Sequence, residues 1–245
     1  VEEMMKAGVD EQTAQEMMRL KLKFAFNKIK QSSELIEPKI IDCEIVELKP
    51  GAYIRRLGLN DYQFIYGDDV VSVNLNLDKH ENYYPPYDLS AHKTKRDYFS
   101  VVHVGEGDGW DVSRPCMGSI LIFQGKIYLI DAGPHIMNTL VSLGICINEV
   151  EGIFHTHGHD DHFAGIPSLI RSGHKLKYYA TPLVRASVTK KLAALLAMDA
   201  DRFDQYFEIH DLEFDTWNNI DGLEVKPVFS PHPVATSIMF FRTFW

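Results

Sequence analysis

The apolar positions change rhythm three times along the chain. Ala14, Met18, Leu22, Ala25 and Ile29 recur at helical spacing behind Asp10, a good N-cap with Val9 before it, and this predicts a helix over residues 11–31. Met17, Leu20, Phe24 and Phe26 widen its apolar surface beyond one stripe. Such a helix must pack: on the rest of this chain, on a second copy in a homodimer, or on a domain upstream. A Met- and Phe-rich stripe of this kind is core or interface rather than a ligand box. Residues 32–38, ending at Pro38, read as a linker, so residues 1–35 form a helical extension and residues 36–245 the main domain.

The rhythm then becomes alternation. Ile40–Leu48 alternates apolar and polar residues before a Pro50-Gly51 turn. Tyr62–Tyr66 and Val70–Leu77 predict two strands about Gly67-Asp68-Asp69. Residues 78–97, with Asn82-Tyr83-Tyr84-Pro85-Pro86-Tyr87, read as a loop, and Tyr98–Val104 returns to strand. The glycine-rich run Gly105–Gly109 does not lead into a helix, which excludes a nucleotide-binding turn.

Beyond residue 118, apolar runs alternate with helical segments. Gly118–Ile122 and Lys126–Ile130 predict paired strands about Gln124-Gly125. A short helix over 135–144 is closed by Gly144, and the run from Ile145 to Phe154 ends in a strand. Pro167–Ser172 begins a helix stopped by Gly173, and Lys175–Ala180 is a strand. Thr181-Pro182 starts a further helix, with Val184, Val188, Leu192, Leu195 and Leu196 on its buried face. Leu223–Phe229 is strand-like. Strands alternating with helices make this an α/β chain.

Residues 156–165, Thr-His-Gly-His-Asp-Asp-His-Phe-Ala-Gly, carry the chemistry. Imidazole nitrogen and carboxylate oxygen are ligands of Zn, Fe and Mn. Packing needs no such cluster where a strand has just ended. His157 and His159 are two apart and point the same way in extended backbone, so both can grip one ion. Asp161 and His162 follow after a further turn and can face a second ion a few Å away. Gly158 permits the tight turn, and Gly165 lets a helix start close to the site. His155 alternates to the opposite side and reads as a supporting or packed residue. Asp160 faces solvent or caps the next turn.

This stretch resembles the His-x-His-x-Asp-His signature of the metallo-β-lactamase superfamily. The paired strands ending in Asp131-Ala132-Gly133 and the approach Val150-x-x-Ile153-Phe154-x-Thr156-His157 resemble it too, over residues 98–245. The resemblance implies a four-layer αββα sandwich with the metals at one edge. It implies that Asp131 orients the metal loop from behind the ligands. It implies that His232 completes the first metal site, although Pro-His-Pro-Val-Ala-Thr-Ser replaces the family's usual Gly-His-Thr-x-Gly. The expected metal ligands are thus His157, His159, Asp161, His162 and His232. The family also supplies a bridging aspartate and a last histidine, yet residues 233–245 hold no Asp, Glu or His. With Val1 at one end and Trp245 in a strand at the other, the chain reads as a fragment of a longer polypeptide.

The activity implied is hydrolysis of a small ester or phosphodiester, with up to two Zn²⁺ (or Fe) ions, a metal-held hydroxide as attacking group and Asp161 as the catalytic carboxylate. An alternative is a di-iron oxygen-binding or redox sensor related to flavodiiron proteins. That branch usually carries Glu at the position of His159. A metal-poor scaffold is a third reading.

Charge and cysteine usage narrow the partners. A net charge of −9 argues against nucleic acid and leaves a small-molecule substrate. Cys43, Cys116 and Cys146 match neither a disulfide framework nor a Cys-x-x-Cys metal site, which points to a reduced, cytoplasmic setting. No apolar run reaches the length of a membrane span. His80, His92, His103, His135, His174 and His210 lack ligand spacing and read as surface or hydrogen-bonded residues.

Overall fold

A computed structural model describes residues 1–6, 8–27, 34, 37–41, 43–76 and 84–244, without the side chains of residues 3 and 24–26. Ile29, Leu77, the side chains of Phe24, Ala25 and Phe26, linker residues 32, 33, 35 and 36, and loop residues 78–83 lie outside the described residues. The helix expected over 11–31 is α2, Glu11–Phe26, preceded by α1, Glu2–Lys6. Asp10 caps α2 by accepting the Thr13 N–H at 2.9 Å. Asn27, at φ 54°, ends it. A left-handed residue stops the hydrogen-bond ladder even where apolar periodicity runs on.

Strands β1 (Ile45–Lys49), β2 (Ala52–Gly58), β3 (Asp61–Tyr66) and β4 (Asp69–Asn74) form an antiparallel meander of their own. Six more strands make the main sheet: β5 (Phe99–Gly105), β6 (Gly118–Phe123), β7 (Lys126–Ile130), β8 (Val150–Phe154), β9 (Leu176–Ala180) and β10 (Phe207–Asp211). Their order is β10-β9-β8-β7-β6-β5, parallel from β7 to β10 and antiparallel from β5 to β7. A third sheet joins β11 (Asn218–Ile220), β12 (Leu223–Phe229) and β13 (Ser237–Thr243). The connecting helices are α3 (Ile136–Ser142), α4 (Asp160–Phe163), α5 (Ile166–Leu169) and α6 (Pro182–Leu196). The helix expected from Pro167 to Ser172 thus ends at Leu169.

The two-residue period of the strands sends alternate side chains to two cores. Ile120, Ile122, Ile127, Leu129, Ile153 and Tyr178 face the helices, meeting Leu140, Phe163, Val184 and Val188. Leu121, Phe123, Tyr128, Phe154 and Tyr179 face the third sheet, meeting Leu223 and Val225. Burial on both faces explains why these strands are continuous apolar runs in sequence. Each fully buried aliphatic side chain contributes roughly 1.5–3 kcal/mol. The layers are therefore helix, sheet, sheet. This is the layer order of the expected αββα sandwich, and on the outer face of the small sheet Ile238 and Phe240 are about half exposed.

Candidate metal centre

Parallel pairing of β7, β8 and β9 puts their carboxyl ends side by side, and the site grows from those ends. Asp131 follows β7, with its N–H donating to the Phe154 carbonyl at 2.9 Å. Its φ of 64° is one that Asp tolerates better than most residues. The buried carboxylate accepts three hydrogen bonds of 2.7 Å: from the Thr156 N–H, the Thr156 hydroxyl and His162 Nδ1.

These bonds decide proton positions. With its hydrogen given to Asp131, the Thr156 oxygen must accept from His157 Nδ1, 2.9 Å away. His157 Nε2 is then a bare lone pair. His162 donates from Nδ1 and turns Nε2 to Asp161, 3.2 Å away. One carboxylate thus fixes the ring orientation of two histidines.

His232 comes from the loop between β12 and β13. Two backbone links pin that loop to the metal segment: the Ser237 N–H donates to the Thr156 carbonyl at 3.0 Å, and Thr236 forms an antiparallel bridge with His157. His232 Nε2 lies 2.9 Å from His159 Nδ1. Ring centroids of His157, His159 and His232 are 4.6–4.8 Å apart. Their ligand atoms all fall within 4.8 Å of one another, as do those of Asp131, His157 and His162.

Electrostatics favours neutral rings in the triad. Burial, with the adjoining imidazoles, pushes His157 down to about 3. Burial also lowers His159 and His232. At His162 burial works against the charged form, but the bond to Asp131 and the charges of Asp131 and Asp161 outweigh it and raise the pKa. Three imidazoles pushed towards the neutral form, with a ring nitrogen of each within 4.8 Å of the others, suit a borderline cation such as Zn²⁺. The donor set fits a metal.

The expected residues lie as follows. His157, His159 and His232 converge. Asp161 stands beside His162, and Asp131 stands behind both. His155 points into the core, fully buried, with Nδ1 2.9 Å from the Tyr178 hydroxyl and its ring stacked on Phe163. Burial lowers its pKa to about 4. Asp160 is exposed and pairs with Lys191 at 2.6 Å.

Two features lie outside the sequence reading. Lys191, on α6, donates to the Gly158 carbonyl at 2.9 Å and sits 4.6 Å above the Phe163 ring, clamping the metal loop. The glycine-rich run after β5 packs on the site, where a Cβ at Gly109 would meet Asp161 Cβ at 2.9 Å; Gly133, after β7, is as close, since a Cβ there would meet the Asp161 carbonyl at 2.2 Å.

The sequence model of a protein family described as "Anti-Pycsar protein Apyc1" matches residues 99–242. The chain belongs to this family. Its match spans Asp131, the 157–162 cluster and His232, while α1, α2 and β1–β4 lie outside it. Like the motif and the parallel order of β7 to β10, the membership agrees with the metallo-β-lactamase fold, and the chain is a member of that superfamily. The Apyc1-family chain is 28% identical to Ribonuclease Z of Methanococcus maripaludis over 124 residues, 48% of this chain and 39% of that protein. It is 28% identical to the cAMP/cGMP-dependent 3',5'-cAMP/cGMP phosphodiesterase B of Dictyostelium discoideum over 148 residues, 59% of this chain and 13% of that protein. It therefore spans less than half the length of either curated relative. Among solved structures, the metallo-beta-lactamase fold protein YhfI from Bacillus subtilis aligns with a TM-score of 0.48 and 18% identity, covering 58% of this chain and 56% of that one.

Proposed function

We propose that the chain carries the metal-holding half of a phosphodiesterase acting on a small phosphodiester, with a nucleoside 3',5'-cyclic phosphate as the favoured substrate class. The observation that carries this reading is the convergence of His157, His159 and His232 into one neutral, lone-pair-rich pocket. The names of the two curated relatives, a ribonuclease and a cyclic-nucleotide phosphodiesterase, support phosphodiester chemistry. The net charge of −9 supports a small substrate over a polynucleotide, whose phosphates call for a basic surface.

His157, His159 and His232 would hold one ion, and Asp161 and His162 would contribute to a second. A bound Zn²⁺ supplies Lewis-acid activation of water and of a phosphoryl oxygen near neutral pH. Asp161 holds the attacking water by accepting its hydrogen bond. Asp131, accepting from His162 Nδ1, would turn His162 Nε2 towards that second ion. Trp110, which follows the glycine pressed on Asp161, leaves its indole 91% exposed, a free face on which a nucleobase can stack.

The test is turnover of a chromogenic phosphodiester by the zinc-loaded chain and by Asp161→Ala. The reading expects turnover that falls by at least a hundredfold in the variant. Two bound irons with a peroxide-type absorption band on exposure to oxygen, and no turnover, would overturn it in favour of an oxygen-binding role.

A further inference from the structure

Lys21 is a cation in the wrong place for a cation. It sits on α2, only 2% exposed. Among the described residues it makes no ion pair and no hydrogen bond. Burial pulls its pKa down to about 8. An ammonium with so little contact with water and no protein partner is costly, and such groups are normally paired.

The side chain lines a cavity of about 480 Å³ between α2, the start of α6 and the β12–β13 loop, within the usual size range of small-molecule sites. Met17, Leu183, Leu212, Phe214 and Phe229 make its walls apolar. Hydroxyls of Thr13, Thr181 and Ser237 lie on the same lining, the last two 3.3 Å apart. Two acids also touch the cavity. Asp211 is already held by Arg185 through bonds of 2.6 and 2.8 Å, and Glu213 is exposed. Neither is within ion-pair distance of Lys21.

One buried cation, a few hydroxyls and an apolar body define a ligand by complement. We propose that this cavity is a binding site for an amphipathic anion, a single carboxylate or phosphate group on an apolar body, with Lys21 holding the anionic head. The site lies beside the cluster of histidines, near enough for the Lys21 charge to help lower His232, and uses a helix outside the Apyc1-family match. It shares one wall with the metal centre, since Thr236 and Ser237 line the cavity and bond to His157 and Thr156.

The test is calorimetric titration of the full chain with octanoate, octyl phosphate and the neutral octanol. At least one anion should bind ten times more tightly than octanol or better, and its chemistry identifies the head group. Lys21→Gln should weaken that anion at least tenfold, Lys21→Arg should keep it within about threefold, and His159→Ala should leave it unchanged. Thermal unfolding guards against a folding defect. Lys21→Met should melt at or above the wild type without ligand, and the anion should raise the melting temperature of the wild type alone. Equal binding of octanol, unchanged binding by Lys21→Gln, loss in His159→Ala instead, or a lower melting temperature for Lys21→Met would each overturn the proposal.

Discussion

Asp131→Asn is the sharpest single perturbation of the site, because it changes charge and donor pattern with almost no change of shape. Three donors converge on the carboxylate at 2.7 Å each. Hydrogen bonds to a charged group contribute roughly 1.5–3 kcal/mol each. An amide oxygen can keep the Thr156 N–H, but the new NH₂ then faces the donors from Thr156 and His162. At least one charge-assisted bond is lost and another is weakened, about 2–4 kcal/mol in all. The positive φ adds nothing to this cost, since Asn accepts the left-handed region as well as Asp does. Both His157 and His162 lose the group that fixes their tautomers, so zinc affinity should fall about 10–100-fold. Urea unfolding with chelator reads the first effect, and a competitive zinc titration reads the second. The two oxygens of Asp131 are also held as a carboxylate below the ordinary range: burial opposes this, and the bond from His162 with the neighbouring charges outweighs it. That part of the stability is present above the unfolded pKa of 3.8 and fades as pH falls below it, so the gap between wild type and variant should close in acid. A variant with wild-type midpoint and wild-type zinc affinity would refute the reasoning.

Three other predictions follow from the same geometry. In chelator, the chain should lose stability as pH falls from 6.5 towards 4, because His155 and His157 have folded pKa values of about 4 and about 3 and the unfolded chain takes up the protons first; urea midpoints at several pH values read this, and a flat profile would contradict it. Gly133→Ala brings a Cβ within 2.2 Å of the Asp161 carbonyl and should shift α4, costing about 1–3 kcal/mol and at least tenfold in zinc affinity by the same two assays. Phe154→Ala empties a fully buried position stacked 4.7 Å from Tyr179 and edge-on to Phe241 at 5.1 Å, so the unfolding midpoint should drop by the equivalent of about 3–5 kcal/mol.

The metal cluster was legible because it is local. A two-residue spacing in extended backbone translates directly into two rings on one side, and the buried strand before it is an apolar run. His232 was reachable through the strand that precedes it. The pinning of its loop was not, because the links from Ser237 to Thr156 and from Thr236 to His157 are backbone bonds with no side-chain signature. The edge strand Phe207–Asp211 is half polar and gives no clear alternation, and the apolar periodicity from Glu11 runs on past Asn27, whose left-handed backbone ends the helix. The approach of Gly109 to Asp161 is tertiary and leaves no mark in the glycine-rich run itself. So is the burial of Lys21, a residue whose neighbours in sequence give no sign that its side chain is covered.

The central claim is that three imidazoles from two distant segments share one ion. A crystal structure of the zinc-soaked chain, with anomalous scattering recorded at the zinc edge, tests this directly. The account predicts a peak about 2.0–2.1 Å from ring nitrogens of His157, His159 and His232. No peak there, or a peak with His232 turned away from the other two rings, would contradict it.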